Sequence, residues 1–354
     1  SVDCVEVHCH GGRQTAAQIV ADLTADGCVA IDADEWLASF HSCPLAASAH
    51  RALAGATTFY TATVLLEQYH GALRRELEAI ENELRTGKAA ALEMRVEHLL
   101  RQGKLGRHLT EPWRVVIAGQ PNVGKSSLVN ALVGYDRAIV FDQPGTTRDI
   151  VSSTTAIAGW PVELSDTAGL REAGPTTEIE GIETAGIRLA RQRLATADLV
   201  VWVLDVAAIS AAGNLLIDDG AANVPLPTAE LASPHEKRLR QGLIDRAAVN
   251  SWNRAQQQAQ AVGVQLDNER TQIVINKIDL AEFAADRHPQ AVGTCAVSGE
   301  GISRLLEKIL ARLVPFPPPP GAAVPFTVEQ VDALQAVQEA LGNQDLVAAS
   351  NYVR

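Results

Sequence analysis

The most informative run of residues in this sequence is Gly119-Gln120-Pro121-Asn122-Val123-Gly124-Lys125-Ser126-Ser127. It fits the pattern G-x-x-x-x-G-K-S/T of phosphate-binding P-loops. The apolar run before it, 113–118, predicts a buried strand, and the run after it, 126–132, has the spacing of a helix. A glycine turn between a strand and a helix start directs backbone N–H groups at phosphate. We therefore expect Lys125 to reach the β- and γ-phosphates and the Ser126 hydroxyl to bind Mg²⁺.

A second motif, Asp166-Thr167-Ala168-Gly169, follows the short apolar segment 162–164. An aspartate after a strand can hold Mg²⁺ through a water molecule, and a nearby glycine can turn its N–H towards the γ-phosphate. The segment can therefore act as a switch. Between the P-loop and this motif lies Pro144-Gly145-Thr146-Thr147-Arg148-Asp149, where a Mg²⁺-binding threonine is expected. Thr147 is the better candidate, and Thr146 is the alternative.

A third motif, Asn276-Lys277-Ile278-Asp279, follows the stretch 271–275, which predicts another buried strand. The Asp279 carboxylate can accept both donors of the guanine base edge, which adenine lacks. The asparagine amide can meet the purine's acceptors, and the lysine stem can lie over the ring. Cys295-Ala296-Val297, just before Ser298-Gly299-Glu300-Gly301, can offer a backbone N–H to the guanine O6. With the P-loop and the switch, these motifs predict a domain that binds guanine nucleotides.

The composition argues against several classes of protein. The chain has 354 residues and a net charge of −12, which disfavours non-specific binding to nucleic acid or to an anionic membrane. No apolar run approaches the ~20 residues of a membrane span, and we find no secretory signal. Five cysteines without a framework spacing indicate a reducing compartment. We expect a cytoplasmic protein that does not bind membranes.

The pattern of apolar residues divides the chain into five parts. Alternating helices and strands, such as the fully apolar run 199–204, predict an α/β domain with a parallel sheet in the middle of the chain. The predicted class is α/β: a doubly wound P-loop GTPase domain inserted in a mainly helical domain, with a remnant of an α+β N-terminal domain. The parts are a partial N-terminal domain (1–45), the first helical part (46–110), the P-loop domain (111–313, with an insertion at about 207–270), a stiff proline-rich linker (314–325) and the C-terminal helical part (326–354).

The two helical parts have clear periodicity. One apolar stripe runs over 65–84 and a second over 92–100, which together predict a helical hairpin. After the linker, Thr327 and Gln330 form a capping-box pattern that marks the start of another helix. We expect this last helix to pack on residues 58–85.

Taken together, the motifs resemble those of the MnmE/TrmE-type tRNA modification GTPases, which are TrmE/Era-like P-loop proteins. The N-terminal run 5–12 resembles the strand and turn of that family's folate-binding domain. The resemblance is specific over 113–205 and 271–313, weaker over 1–12 and only architectural over 46–110. The residues that carry it are Asn122 in the P-loop and the runs Gly145-Thr146-Thr147-Arg148-Asp149, Asp166-Thr167-Ala168-Gly169-Leu170-Arg171 and Ser298-Gly299-Glu300-Gly301.

The resemblance implies an activity, cofactors and partners. The family hydrolyses GTP to GDP and phosphate with K⁺ in place of an arginine finger, and it uses Mg²⁺. Its members form homodimers through their N-terminal domains. With the flavoprotein MnmG they modify the wobble uridine of certain tRNAs. The resemblance therefore implies a homodimer with an MnmG-like flavoprotein and tRNA as partners, and a tetrahydrofolate derivative only where a further N-terminal half completes the folate domain.

The resemblance also assigns roles to individual residues. Asn122 is implied as a K⁺ ligand, together with Phe141, Gln143 and Thr146. The catalytic glutamate is implied at Glu183, ahead of a glycine downstream of the switch, with Glu178 as the alternative. Lys125 and Gly169 complete the implied catalytic set. The implied GTP-binding residues are Asn122, Val123, Gly124, Lys125, Ser126, Ser127, Thr146, Thr147, Asp166, Gly169, Asn276, Lys277, Asp279, Cys295, Ala296 and Val297, and the implied Mg²⁺ ligands are Ser126, Thr147 and Asp166.

The sequence departs from the family pattern at both ends. It begins at Ser1 inside a predicted strand, 2–7, with a predicted helix at 15–23, and it has no initiator methionine. We expect a fragment that lacks the first half of the folate domain. The family's C-terminal Cys-x-Gly-Lys box, whose cysteine is tied to tRNA modification, is not found. The alternative function is therefore a GTP-dependent switch that binds an RNA–protein partner and has lost the modification chemistry.

Overall fold

The computed structural model of this chain has a six-stranded sheet at its centre. It describes residues 5–10, 12–86, 89–135, 152–166, 190–207, 253, 255–266, 268–280, 289–343, 345 and 347–349. The strands are β1 (Trp113–Gly119), β2 (Ser152–Ile157), β3 (Trp160–Asp166), β4 (Leu199–Asp205), β5 (Thr271–Asn276) and β6 (Ala291–Thr294). Their order is β2-β3-β1-β4-β5-β6. Among these strands, β2 alone runs antiparallel to its neighbour, so the predicted α/β domain has a mixed sheet.

The parallel strands bring the sequence motifs to one edge of the sheet. The register places Ile117 opposite Asp166 and Asp205 opposite Asn276. Since parallel strands end at the same edge, the carboxyl ends of β1, β3, β4 and β5 lie side by side there. The strands predicted at 113–118, 199–204 and 271–275 are confirmed within one residue at their carboxyl ends.

Both faces of the sheet are covered by helices. Alternate side chains of β1 and β4 pack on one face against α7 (Lys125–Val133) and α8 (Ile302–Leu313). The remaining side chains of these strands pack on the other face against the helical residues 190–196 and 255–261. Burial on both faces explains the apolar runs 115–118 in β1, 199–204 in β4 and 273–275 in β5.

Further helices precede and follow the sheet. They are α1 (Arg13–Ala25), α2 (Ala33–Phe40), α3 (Pro44–Gly55), α4 (Phe59–Tyr69), α5 (Ala72–Thr86), α6 (Ala89–Gly106) and, near the carboxyl end, α9 (Val328–Gly342). The predicted stripe 65–84 is therefore divided between two helices. The break falls at Gly71, whose φ of 90° is left-handed. Glycine adopts this conformation at little cost, so the chain can turn between α4 and α5.

Helix α9 packs on α6 and not on residues 58–85, so the predicted partner is wrong. Gly103 of α6 explains the choice, because a Cβ at this position would lie 2.8 Å from the Val331 side chain. The capping box at the start of α9 is confirmed. Gln330 N donates to Thr327 Oγ1 at 3.3 Å, and Thr327 N donates to Gln330 Oε1 at 3.3 Å.

The proline-rich segment 314–325 is packed against the helices rather than acting as a free spacer. The amide of Gln68, buried on α4, binds it twice. Its Nε2 donates to Ala322 O at 3.0 Å, and its Oε1 accepts from Val324 N at 3.1 Å. Val324 is itself fully buried. These contacts fix the path of the chain between the sheet and α9.

The β2–β3 hairpin contacts the start of α4. Thr58 Oγ1 donates to Gly159 O at 2.6 Å. Tyr60 packs on Trp160 with 5.3 Å between the ring centroids. The hairpin thus joins the edge of the sheet to the helices that precede it.

A second junction lies where the helices lead into β1. The ring of His108 stacks on Trp113 with 3.4 Å between centroids, and both residues are buried. Asp198, just before β4, accepts from Arg107 Nη2 at 3.1 Å and from Arg114 N at 2.8 Å. Burial, with the nearby Arg107 charge, lowers the pKa of His108 to about 4, although Asp198 opposes the shift.

Most of the described residues before position 40 are exposed. The helix predicted at 15–23 is confirmed as α1. The strand predicted at 2–7 is wrong for its described part, because residues 5–10 have no regular secondary structure and form no strand ladder with the other described residues. A strand needs a neighbour for its backbone groups. Within the described part of the chain, no helix combines the length and apolarity that crossing a membrane requires.

Candidate nucleotide-binding site

The P-loop lies between β1 and α7, as its sequence predicts. Three of its residues have a left-handed backbone: Gly119 at φ 148°, Asn122 at φ 65° and Gly124 at φ 91°. A Cβ at Gly124 would collide with the amide of Asn276, so only glycine fits there. The loop is therefore shaped by the guanine motif that lies against it.

Helix α7 begins at Lys125, directly after the loop. Its first N–H groups have no partner within the helix and carry a partial positive charge, which suits phosphate. The Lys125 side chain is buried, and its Nζ donates to Gln120 O at 2.8 Å across the loop. This geometry fits the predicted phosphate cradle.

Ser126 and Asp166, predicted from two separate motifs, meet in the structure. Ser126 Oγ donates to Asp166 Oδ2 at 2.6 Å, and Asp166 is almost fully buried at the end of β3. A hydroxyl beside a carboxylate supplies the oxygen donors that Mg²⁺ prefers. The pair therefore fits the metal that the sequence analysis expects at this position.

Asn276 ties the guanine motif to the rest of the site. Its Nδ2 donates to Val123 O at 2.9 Å, while its Oδ1 accepts from Thr294 Oγ1 at 3.1 Å and from Ala296 N at 3.3 Å. One amide hydrogen remains for a purine acceptor. The residue is buried, so the P-loop, β5 and the loop after β6 share one anchoring amide. Sequence reasoning did not identify Thr294 as part of this network.

The Lys277 side chain bridges the P-loop and the end of β4. Its Nζ donates to Asn122 O at 2.6 Å and to Asp205 Oδ2 at 2.8 Å. Its backbone has a φ of 64°, which turns the chain after β5. Asp205 was missed in the sequence, although it ends the apolar run of β4 and so lies at the same sheet edge as the other motifs.

The loop after β6 is organised by its own hydrogen bonds. Cys295 is buried, its N–H donates to Glu300 O at 3.0 Å, and its Sγ accepts from Ser298 N at 3.5 Å. Of the three predicted donors to guanine O6, Cys295 N and Ala296 N are thus engaged within the protein. Asp279 and Val297 are exposed, as expected for residues that face a ligand.

Several predicted site residues lie outside the described part of the chain. They belong to the segments on either side of the β2–β3 hairpin. They are Phe141, Gln143, Thr146, Thr147, Gly169 and Glu183, with the alternative Glu178.

The chain is similar to known GTPases. A family model described as 50S ribosome-binding GTPase matches residues 114–226. A tRNA modification GTPase MnmE of Koribacter versatilis is 32% identical over 341 residues, covering 87% of this chain and 64% of that protein. The MnmE of Synechococcus sp. strain JA-3-3Ab is 29% identical over 373 residues, covering 96% of this chain and 70% of that protein.

A mitochondrial relative is also similar. The 5-taurinomethyluridine tRNA synthase subunit of Rattus norvegicus is 43% identical over 138 residues, covering 39% of this chain and 26% of that protein. The chain spans 64%, 50% and 49% of the length of three MnmE relatives. Together with the joined P-loop and guanine motif, these matches show that the chain contains a P-loop GTPase domain and is similar to the MnmE-type GTPases.

Proposed function

We propose that this protein binds GTP with Mg²⁺ and hydrolyses it to GDP and phosphate with stimulation by K⁺, in a role related to tRNA wobble-uridine modification. The observation that supports it best is the hydrogen bond from Asn276 Nδ2 to Val123 O, which joins the guanine motif to the phosphate loop. A site built in this way holds the base and the phosphates of one nucleotide in a fixed relation.

The P-loop would bind the phosphates of the nucleotide. Backbone N–H groups at the start of α7 and the Lys125 ammonium would hold the β- and γ-phosphates. Ser126 and Asp166, with Thr147, would hold Mg²⁺, which supplies positive charge against the phosphate oxygens when it is bound. Gly169 would contact the γ-phosphate, so the conformation of the switch segment would depend on whether that phosphate is present.

The guanine motif, residues 276–279, would bind the guanine base. The exposed Asp279 carboxylate would accept the guanine N–H groups, and the Lys277 stem would lie along the base. The backbone of the loop 295–297 would approach the guanine O6. These groups discriminate against adenine, because adenine presents no pair of donors to a carboxylate at that edge.

Hydrolysis needs positive charge near the β–γ bridging oxygen. We assign this charge to K⁺, held by the Asn122 side chain with help from Phe141, Gln143 and Thr146. Glu183, or Glu178 in its place, would orient the attacking water. In support of this arrangement, Asn122 has a left-handed backbone and its carbonyl accepts from Lys277 Nζ, so its position is fixed at the rim of the loop.

The remaining parts of the chain are interpreted by their similarity to MnmE. Helices within 46–110 and 326–354 would form one helical domain interrupted by the GTPase domain, and residues 1–45 would belong to a folate-binding-like domain. The expected partners are a second copy of the chain, an MnmG-like flavoprotein and tRNA, in the cytoplasm. A tetrahydrofolate derivative would require a further N-terminal half.

A GTP-dependent switch that acts on an RNA–protein partner without modification chemistry is the second candidate. The β2–β3 hairpin favours it, since this hairpin joins the two predicted switch segments and is bound to α4 through Thr58 and Gly159. A change in the nucleotide could thus be passed to the helices and to a partner there.

Two measurements test the proposal. Phosphate release from GTP and from ATP by the purified chain tests the enzyme, and equal rates or no release from GTP would overturn it. Mass analysis of wobble uridines tests the biological role, in a strain whose own MnmE gene is replaced by the gene for this chain. Restored modification supports the tRNA role, whereas GTP hydrolysis without restored modification favours the switch.

A further inference from the structure

The carboxylate of Asp205 stands outside the nucleotide motifs but touches one of their members. Its Oδ2 accepts a 2.8 Å hydrogen bond from Lys277 Nζ, and its Oδ1 accepts from Ala207 N at 2.9 Å. Asp205 is the last residue of β4 and lies opposite Asn276 in the parallel register. Both oxygens of one short side chain are therefore committed, one to the backbone beyond β4 and one to the lysine after β5.

The other bond of Lys277 Nζ goes to the P-loop. The distance to Asn122 O is 2.6 Å, so the ammonium bridges a carboxylate and a carbonyl. A lysine side chain has four rotatable bonds and loses considerable entropy when it is held. Two charge-assisted hydrogen bonds at fixed positions offset that loss and keep the stem extended over the loop.

We infer that Asp205 is a positioning residue of the nucleotide site, whose carboxylate holds the Lys277 ammonium on the P-loop so that the lysine stem forms a fixed wall of the purine pocket. The inference rests on the proposed binding of guanine nucleotides and assigns a role to a residue outside the nucleotide motifs. Asp205 itself contacts no part of the nucleotide in this role.

The charges on the two side chains explain why a carboxylate is needed. With Asp205 in place, the lysine charge is neutralised by an ion pair within the protein. The exposed fraction is 32% for the Lys277 side chain and 20% for the Asp205 side chain, so the pair is only partly exposed to solvent. Without it, the ammonium would keep one neutral acceptor and would be drawn towards water and the nucleotide phosphates. The stem would then leave the face of the base.

The role predicts a particular kinetic pattern. A wall of the base pocket contacts GTP equally before and during phosphoryl transfer, so its loss should raise KM and leave kcat at saturating GTP nearly unchanged. We expect Asp205→Asn to raise KM for GTP and Kd for GDP about tenfold, a size typical of coupled charged neighbours. Asparagine keeps one acceptor for Ala207 N–H but lacks the charge.

A double-mutant cycle with Lys277→Met separates positioning from a general loss of structure. Methionine keeps an unbranched apolar stem and removes the ammonium. If Asp205 acts through that ammonium, Asp205→Asn should change Kd for GDP less than twofold in the Lys277→Met background. A tenfold loss that persists in this background would overturn the inference.

A matched control is available in the same strand region. Asp198 precedes β4 at the opposite edge of the sheet, and its carboxylate likewise accepts two hydrogen bonds, from Arg107 and Arg114. Asp198→Asn should lower the melting temperature but leave KM for GTP unchanged. An Asp205→Asn protein whose KM is no higher than that of Asp198→Asn would also refute the positioning role.

Two further outcomes also test the inference: a variant that does not fold, and a wild-type chain that does not bind GDP. If Asp205→Asn does not fold, Asp205→Ser keeps a hydroxyl acceptor for Ala207 N–H, and the same rise in KM is expected from it. An unchanged KM in the serine variant contradicts the inference. A wild-type chain that binds no GDP, measured by the fluorescence of an N-methylanthraniloyl derivative, would instead overturn the proposed function and this inference with it.

Discussion

The side-chain amide of Asn276 donates a 2.9 Å hydrogen bond to the backbone carbonyl of Val123, 153 residues earlier in the chain. The contact is buried, and the oxygen of the same side chain accepts hydrogen bonds from Thr294, at the end of β6, and from Ala296 N in the loop that follows. A residue whose type suggested base recognition therefore also fixes the phosphate loop. Affinity for the base and affinity for the phosphates should consequently respond together to changes at this position.

Asn276→Asp tests this coupling. The carboxylate cannot donate to Val123 O, and it would bring a negative charge next to that carbonyl group. We expect at least a tenfold loss of GDP affinity and a loss of unfolding free energy of about 1–3 kcal/mol. Titration calorimetry and urea unfolding measure the two effects.

The control for this variant is Asn268→Asp. Asn268 Oδ1 accepts from Arg270 N at 3.0 Å, and a carboxylate can accept the same bond. We expect no change in GDP affinity for the control. Equal behaviour of the two variants would contradict the anchoring role of Asn276.

Asp279→Asn tests base selection. The amide would offer a donor where the carboxylate offered an acceptor, which suits xanthine, whose C2 carries an oxygen in place of the amino group of guanine. We expect the preference to move from GDP towards XDP by at least tenfold, measured by competition with a fluorescent nucleotide. The exposed Asp332→Asn on α9 is the control and should leave the preference unchanged.

The edge of the sheet where the site lies was predictable from the sequence. The P-loop, the switch aspartate and the guanine motif each follow an apolar run, and the parallel register brings the ends of those runs together. The meeting of Ser126 with Asp166 follows from the motifs alone. Asp205 is harder to find, because a single aspartate at the end of a strand carries no motif, and only the lysine after the neighbouring β5 shows what it binds.

Other features depend on tertiary contacts that a linear pattern does not contain. The edge strand β2 is antiparallel and rich in Ser and Thr, so it lacks the apolar run that marks the central strands. The Ala158-Gly159 turn after it is not one of the dipeptides that usually mark a two-residue hairpin. The division between α4 and α5 was missed because leucines continue the helical spacing across Gly71. The partner of α9 depends on Gly103, which the apolar stripes do not reveal.

Gly159→Ala tests the contact between the hairpin and α4. Gly159 has a φ of 86°, and a Cβ there would lie 2.7 Å from the Tyr60 Cβ. We expect a loss of unfolding free energy of about 2–4 kcal/mol from the backbone conformation and the clash together.

Gly263→Ala provides a close control. Its φ is also 86°, but nothing lies within 4 Å of the added Cβ. The control should lose about 1 kcal/mol, from the backbone alone. An equal loss of unfolding free energy in the two variants would show that the hairpin is not closely packed against Tyr60.

His108 predicts a pH dependence of stability. Its pKa is lowered to about 4 by burial, with the Arg107 charge adding to the shift, so the folded protein keeps the ring neutral. The unfolded chain binds a proton below about pH 6.5. Stability from this residue is therefore complete above pH 6.5 and is lost as the pH falls towards 4, by on the order of 3 kcal/mol.

The variant His108→Phe isolates this effect. Phenylalanine can keep the stacking on Trp113 but does not titrate. We expect urea midpoints of the wild type to fall more steeply between pH 6.5 and 4 than those of the variant. Parallel curves would exclude His108 as the source of the acid sensitivity.

The dependence of hydrolysis on the monovalent cation tests the role of Asn122. The P-loop holds this residue in a left-handed backbone, with its carbonyl bound by Lys277, so its backbone has a fixed position in the proposed phosphate loop. We expect kcat for GTP to be at least tenfold higher in KCl than in NaCl at equal ionic strength, because K⁺ would supply the charge that an arginine finger supplies elsewhere.

Asn122→Ala should abolish the difference between the two salts while GDP binding is largely kept, since an interaction made with the developing charge affects kcat and not ground-state affinity. Alanine adopts a left-handed φ at a higher energetic cost than asparagine. The variant must therefore first be shown to bind GDP. Asn122→Gly removes the amide without that strain and should behave in the same way. Equal wild-type rates in the two salts would exclude K⁺, and the charge would then have to come from an arginine such as Arg148 or Arg171.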